Sequence, residues 1–459
     1  MKQRAVVMGA GASGLAAARL AARRGAEVTV IEPAPGPGGA WMPYEAVVDG
    51  RRVDFDRGIR MGMATGDERL DHAIYGCLDI EWNRIDGFPN EGHVLGGRLN
   101  RENQCPDVRL LGDEVADAVV RELLAAEEEP AADHVDAWLR GRFGATVVER
   151  VFEPFLRKVF GCSLDALAPK AERFFVPGRV IVADEPTTRG LRDAHPELRG
   201  RMAHPSSRSL DVPGRGFLHP ARGAMGRWIE ESCRDLEASG GEIRFGASVA
   251  SVERHGDRVT AVELDDGTAL PCDVLFWSRP PALLCRAAGI SVPSARPAFR
   301  DLAVVHLVAS EEPSTDLHYA TFYDPGDAIH RVFFTRQVRP DCAPLERRAM
   351  SVEVVLGPDE ALDEAAITER VWGELRSAGL VPETARPTWS HVERFSRVFP
   401  ILTPEVAAGD RACRAALAGL TNAALVGRSE DAAFLNMILL ACDRAVNELL
   451  EDASARTAA

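Results

Sequence analysis

The chain has 459 residues, more than a single compact core usually supports, so two closely joined units are expected. Hydrophobic residues make up 46% and charged residues 27%, ordinary globular proportions that exclude a disordered or fibrous protein. A net charge of −15 argues against nucleic acid or an anionic membrane surface as the main partner.

The chain enters a strand almost at once, leaving no room for a basic and apolar leader, and no apolar run nears the ~20 residues that span a bilayer. Nine cysteines are scattered without a C-x-x-C pair and read as reduced thiols, neither a disulfide frame nor a metal site. A cytoplasmic protein follows, with no membrane insertion, and a homodimer is compatible with all of this.

The first informative stretch is Ala5–Trp41. Ala5–Met8 is a short apolar run that reads as a buried strand, and Gly9, Gly11 and Gly14 then satisfy G-x-G-x-x-G. Leu15–Arg24 has no breaker and reads as a helix, stopped by Gly25. Glu27–Glu32 is a second strand ending on an acid eighteen residues after Gly14. In this order each residue has a task in dinucleotide binding. Gly9 permits the tight turn, Gly11 lets backbone approach a pyrophosphate, and Gly14 lets helix and strand pack closely. Ala12, Ser13 and Gly14 bring the first amides of the helix, and its positive dipole end, toward the phosphates. Glu32 can accept from ribose hydroxyls and would repel a 2′-phosphate.

Beyond Glu32 comes Gly38-Gly39-Ala40-Trp41. With this second glycine pair the chain resembles the FAD-binding superfamily of amine oxidase, protoporphyrinogen oxidase and UDP-galactopyranose mutase, where backbone at that place passes close to the flavin. The resemblance implies FAD as cofactor. It also implies a Rossmann-like α/β domain of the glutathione reductase type, with an α+β substrate domain inserted in segments. The FAD domain would comprise 1–58, 216–290 and 395–452, the substrate domain 59–215 and 291–394, and 453–459 a flexible tail.

Along the chain, Val47–Ile59 reads as a hairpin turning at Asp49-Gly50. The following Gly58-Ile59-Arg60 stands where the mutases carry Gly-Pro-His beside the flavin; Arg60 either faces a ligand there or sits in solvent. From Asp107 to Leu167 the pattern is helical, with Val115, Val119, Val120, Leu123 and Leu124 as one stripe, and Phe152, Phe155 and Phe160 read as core. Gly178–Arg215 lacks periodicity and reads as a long loop.

A helix over Met225–Ser239 and strands at Glu242–Phe245, Val249–Arg254, Val259–Leu264 and Asp273–Ser278 resemble the second flavin-domain block, which implies adenine contact through backbone near Val249. A sheet follows, with strands at Ala298–Ala309, His330–Arg336 and Ser351–Leu356 and a helix over Asp359–Leu380. Arg331 and Arg336 lie five apart, so a regular strand turns only one inward; the resemblance favours Arg331.

Phe399–Pro404 opens the third block. A strand Ala424–Val426, then Gly427-Arg428, leads to a final helix with Phe434, Met437, Ile438, Ala441, Ala445 and Leu449 on one face. The resemblance implies that Gly427, Arg428, Asn436 and Met437 lie at the flavin ring, against the helix N-terminus. Ile438 stands where the mutases have an acid.

The function expected is FAD-dependent hydride removal from a small polar or anionic substrate, positioned by Arg60 and Arg331. The alternatives are a mutase that uses reduced flavin on a nucleotide sugar without net redox change, and a silent binding subunit.

Overall fold

The computed structural model describes residues 2–206, 216–429 and 431–457. Two sheets organise them. The first has five parallel strands, in the order Glu242–Phe245, Glu27–Glu32, Arg4–Met8, Val274–Trp277 and Ala423–Leu425. Alternation divides its side chains between two cores. Val7, Val30 and Phe276 meet the helices Ala12–Arg23, Gly226–Ala238 and Leu435–Thr457. Val6, Ile31, Leu275 and Trp277 meet the strands Val249–His255 and Arg258–Leu264 and the helices Pro281–Ala287 and Pro404–Leu417.

The second sheet has seven strands, in the order Pro387–Pro400, Phe299–Ala309, Ala349–Leu356, Ile329–Phe334, Tyr319–Phe322, Glu91–Leu95 and Arg98–Asn100. Only the Tyr319–Phe322 and Glu91–Leu95 pair is parallel. One face is apolar: Val305, Leu307, Val332, Phe334, Val352 and Val354 pack beneath the helix Glu364–Ser377. The register places Glu91, Tyr319, Arg331, Glu353, Ser351 and His306 together on the other face. A sheet apolar on both sides would simply be buried. This polar face turns toward the segment Asp56–Arg60, which follows the hairpin Tyr44–Val48 and Arg51–Phe55.

Helices Asp113–Ala125, Val135–Phe143 and Glu153–Phe160 build a third core in which Phe143, Phe152, Phe155 and Phe160 are buried. In the first of these the buried positions are Ala116, Val119 and Leu123, and the expected Leu124 is exposed.

Several expectations are corrected. The long loop expected at 178–215 contains a helix, Glu185–Ala194, and two short paired strands, Val180–Ile181 and Met202–Ala203. Only Thr188 of that helix is buried, so no apolar stripe announced it; the Asp184 cap, which accepts from Thr187 N, and the proline in its first turn were the available signal. Residues 207–215 of that span lie outside the described residues.

The strand after His330 stops at Phe334 and a short helix, Thr335–Val338, carries Arg336 outward to Glu312 at 2.6 Å. Pro387–Pro400 is one long strand still paired with Phe299–Ala309, so the chain leaves the second sheet at Pro400, not 395. The last helix begins at Leu435 and runs to Thr457, past the expected start of a tail; residues 458–459 lie outside the described residues. Its deeply buried face is Ile438, Leu439, Cys442 and Val446, while Phe434 precedes the helix and is exposed. No helix among the described residues is long and apolar enough to cross a membrane.

Candidate functional site

The glycine-rich turn is built by contact. Gly9 has φ of +104°, and a Cβ there would fall 2.3 Å from Ser278 Oγ. A Cβ on Gly14 would fall 1.8 Å from the Gly9 carbonyl oxygen, and one on Gly427 would fall 2.6 Å from the Ser278 carbonyl oxygen. Gly14 and Gly427 are therefore small because backbone passes against them. Ser278, whose hydroxyl donates to Met8 O at 2.6 Å, is the hub of these approaches. Nothing in the G-x-G-x-x-G pattern pointed to it.

Gly11 is different: no protein atom stands within 4 Å of the place its Cβ would take. Gly11 is also the N-cap of the helix Ala12–Arg23, which has no side-chain cap and no acid in its first turn. The amides of Ala12, Ser13 and Gly14 thus open onto free space with the dipole behind them.

Glu32 closes the far side of the turn. Its carboxylate accepts from Ala10 N at 2.8 Å and from Ala34 N at 2.9 Å, leaving further lone pairs for a ligand. Gly38 N donates to Ala10 O, tying the second glycine pair to the first turn. Gly38 and Gly39 both have positive φ, and Gly39 also borders open space. Ala40 is exposed, and Trp41 meets Trp228 edge-on at 5.4 Å. Val249 pairs with Leu264, in the stretch that follows the bond from Ala247 N to Glu32 O.

Asn436 lies in the first turn of the last helix, beside the partly buried Met437. It is buried, and its Oδ1 has no hydrogen-bond partner among the described residues. A buried amide oxygen left unpaired costs stability unless something else fills the place.

The Asp56–Arg60 segment is pinned residue by residue. Asp56, fully buried, binds His219 Nε2 at 2.8 Å and accepts from Met225 N at 2.9 Å. Arg57 makes a two-pronged bridge to Glu393 at 2.9 and 2.8 Å. Burial alone would raise the Glu393 carboxyl, but hydrogen bonds from His306 and Arg57 hold it down at about 2. Burial lowers the pKa of His306 itself, so Arg57 is the charge that keeps Glu393 ionised. A Cβ on Gly58 (φ +83°) would fall 1.9 Å from Glu353 Oε1. Gly58 was expected at the cofactor, and the space its Cβ would need is taken by this carboxylate.

Glu353 was missed in the sequence because a single acid in an apolar strand carries no pattern. It is 1% exposed and binds Arg331 at 2.7 Å. Around this pair stand two more arginines. Arg60 donates to Ala40 O at 3.1 Å and Ile59 O at 2.8 Å, and has no carboxylate partner among the described residues. Its pKa is lowered by burial, with Glu353 opposing and Arg331 adding to the shift. Arg428 lies over the Phe174 ring at 4.6 Å and has no ion pair among the described residues. Burial, then the charges of Arg60 and Arg331, lower its pKa as well. Arg428 is nevertheless exposed as a residue. The structure thus brings together Arg60, Arg331 and Arg428, of which only Arg331 is ion-paired among the described residues. A recess of about 440 Å³ between the helix Glu364–Ser377 and the strand Pro387–Pro400 shares none of these residues.

A Rossmann-like NAD(P)-binding domain family matches residues 7–72, the stretch that holds the glycine turn and Glu32. Hydroxyneurosporene desaturase from Cereibacter sphaeroides is 27% identical over 394 residues, covering 82% of this chain and 73% of the relative. The Rhodobacter capsulatus desaturase of the same name is 28% identical over 390 residues, covering 76% and 70%. Among solved structures, reduced UDP-galactopyranose mutase superposes with a TM-score of 0.69 at 15% identity, covering 98% of this chain and 96% of that one. Cyclohexylamine oxidase from Brevibacterium oxydans gives 0.61 at 16% identity, covering 99% and 100%. The chain shares the fold of these two solved structures over nearly its whole length.

FAD is the cofactor that the sequence resemblance implies. The residues present fit the cofactor. Gly11 and Gly39 leave open space, the helix amides are uncapped, and Asn436 Oδ1 is a buried acceptor with nothing to accept from.

Proposed function

We propose that this oxidoreductase removes hydrogen from a polar or anionic substrate held at the junction of the two sheets. The observation that carries the reading is the arginine group: Arg60, Arg331 and Arg428 influence one another's charge, and of the three only Arg331 has a carboxylate partner, Glu353, among the described residues. A site with surplus fixed cations favours a carboxylate or phosphate, which a planar guanidinium can grip through two hydrogen bonds. In this reading Arg331, set by Glu353, and Arg60, set by the carbonyls of Ala40 and Ile59, position the substrate.

On the cofactor side, Gly9, Gly11, Ala12, Ser13 and Gly14 hold the FAD pyrophosphate and Glu32 a ribose. Val249 lies at the adenine, and Gly38–Trp41, Gly427, Arg428, Asn436 and Met437 lie around the ring system. Bound FAD supplies the two-electron oxidant. We assign the cofactor to the part built on the five-stranded sheet and the substrate to the part built on the seven-stranded sheet, with the last crossing at Pro400.

A second reading has an observation of its own. The relatives' name describes desaturation of a hydroxylated compound, and Phe174 and the exposed Phe434 stand 6.2 Å apart beside Arg428. Such a surface suits a longer, largely apolar body.

Anaerobic mixing of the holoprotein with phosphorylated or carboxylated alcohols and amines, and separately with a hydroxylated polyene in detergent, tests both. Bleaching of the flavin by an anionic compound supports the first reading; bleaching only by the polyene replaces it with the second. If no compound bleaches the flavin, yet dithionite-reduced protein isomerises a nucleotide sugar, the chemistry is that of a mutase.

A further inference from the structure

The cleft holds two groups that the arginine account leaves unused, Glu91 and Tyr319. They sit opposite each other on adjacent strands, so their side chains share the polar face of the second sheet. Arg331 is on that face too, one strand further on and opposite Thr321. The cross-strand register sets the Tyr319 ring beside the Glu91 carboxyl, whose buried Oε2 has no partner among the described residues. Glu91 is buried, whereas Tyr319 is partly exposed and packs in one small cluster with Ile59, Met61 and Phe333. Ile59 and Met61 flank Arg60. Tyr319 therefore stands between a buried carboxyl and the place where Arg60 and Arg331 meet a substrate.

We propose that Tyr319 and Glu91 form the proton acceptor for the oxidation, Tyr319 touching the substrate and Glu91 acting through it. This rests on the reading that substrate is oxidised in this cleft. Removing two hydrogens from adjacent atoms sends one, with its bonding electron pair, to FAD as a hydride. The other leaves as a proton, and its bonding pair becomes the new π bond. Tyr319 Oη takes that proton while its own phenolic proton passes to the Glu91 carboxylate. Glu91 ends protonated and Tyr319 unchanged, and the proton is later released to solvent.

The charge state fits this role. Burial raises Glu91 to about 8, with the neighbouring Tyr319 hydroxyl and the Arg331 charge pulling the other way. The groups facing Glu91 are Tyr319 and Tyr323 at the two ends of one strand region, Arg331 on the next strand, and Cys105 from the loop that follows Asn100. Tyr319 and Tyr323 are both pushed well above the usual phenol range, first by burial, and Cys105 to about 12. Among these only Glu91 changes charge near neutrality. A base of this kind is empty and ready at mildly alkaline pH, and is blocked by its own proton below.

The test uses the holoprotein in two measurements. Infrared difference spectra between pH 6 and 10 should show a protonated carboxyl band with a midpoint near 8, absent in Glu91→Gln and shifted upward in Tyr319→Phe. The rate of anaerobic flavin reduction, with whichever compound bleaches the flavin, should rise along the same midpoint. Glu91→Gln should slow it by about 10²–10⁴-fold and flatten the profile, with Glu91→Asp recovering part of both. A Glu91→Gln protein that holds FAD and keeps the parental rate and pH profile overturns the relay and leaves the oxidation reading intact. If no compound bleaches the flavin, that reading falls and the relay with it.

Discussion

Replacing Gly58 by alanine isolates the contact that joins the two halves of the proposed substrate site. The new Cβ would sit 1.9 Å from Glu353 Oε1, far inside van der Waals contact, at a residue with φ of +83°. The left-handed backbone alone costs an L-residue about 1–2 kcal/mol. Moving a buried carboxylate away from its guanidinium costs about 1.5–3 kcal/mol more, the value of a hydrogen bond to a charged group. Together the substitution should destabilise by about 3–5 kcal/mol, read as a lower urea midpoint at unchanged slope. In a Glu353→Ala background the clash is gone, so Gly58→Ala should then cost only the backbone part, about 1–2 kcal/mol. Equal costs in the two backgrounds would refute the argument that Glu353 is why residue 58 is a glycine.

Three further outcomes follow from the same geometry. Arg331→Ala and Arg60→Ala should each weaken binding of inorganic pyrophosphate, read as a flavin absorbance perturbation, by about tenfold or more without lowering FAD content; unchanged binding in both removes them from the site. Glu393 has its carboxyl held near 2, below the ordinary 4.5, so its contribution of about 3 kcal/mol is present above pH 4.5 and fades as pH falls toward 2. Glu393→Gln should therefore lose stability at pH 7 and be indistinguishable from the parent near pH 2, by thermal melting in matched buffers. Gly14→Ala, whose Cβ meets the Gly9 carbonyl at 1.8 Å, should yield protein that is unstable and free of flavin, and a normal melting temperature with full flavin would contradict the close-packing account.

The nucleotide half of the fold was legible because its physics is local. The strand, the three glycines, the helix and the terminal acid all sit within 37 residues, and each leaves a residue type behind. Arg428 was singled out through its resemblance to the mutases' Gly-Arg joint, as a flavin-side residue, and its electrostatic link to Arg60 and Arg331 was not foreseen. The substrate half was not, because its site is assembled across strands. Glu353 is an acid inside an otherwise apolar run, and only the pairing of residue 331 with 353 reveals its purpose. Glu91 and Tyr319 are separated by more than two hundred residues and meet only through a parallel pair. Strand alternation said only that one of Arg331 and Arg336 faces inward, and the resemblance favoured Arg331; the strand ends before Arg336, which turns outward on a helix instead. The helix Glu185–Ala194 was overlooked because hydrophobic periodicity reports burial, and that helix buries almost nothing.

The most direct test is the identity and amount of the bound cofactor. Purified protein, denatured and its supernatant resolved by chromatography, should release one FAD per chain and no nicotinamide dinucleotide. Gly11→Val should fold with an unchanged far-ultraviolet circular dichroism spectrum yet release none, because a Cβ there meets open space, which in the proposed reading the pyrophosphate takes. A colourless parent protein that ignores added FAD, or a Gly11→Val protein that carries FAD as fully as the parent, would contradict the account.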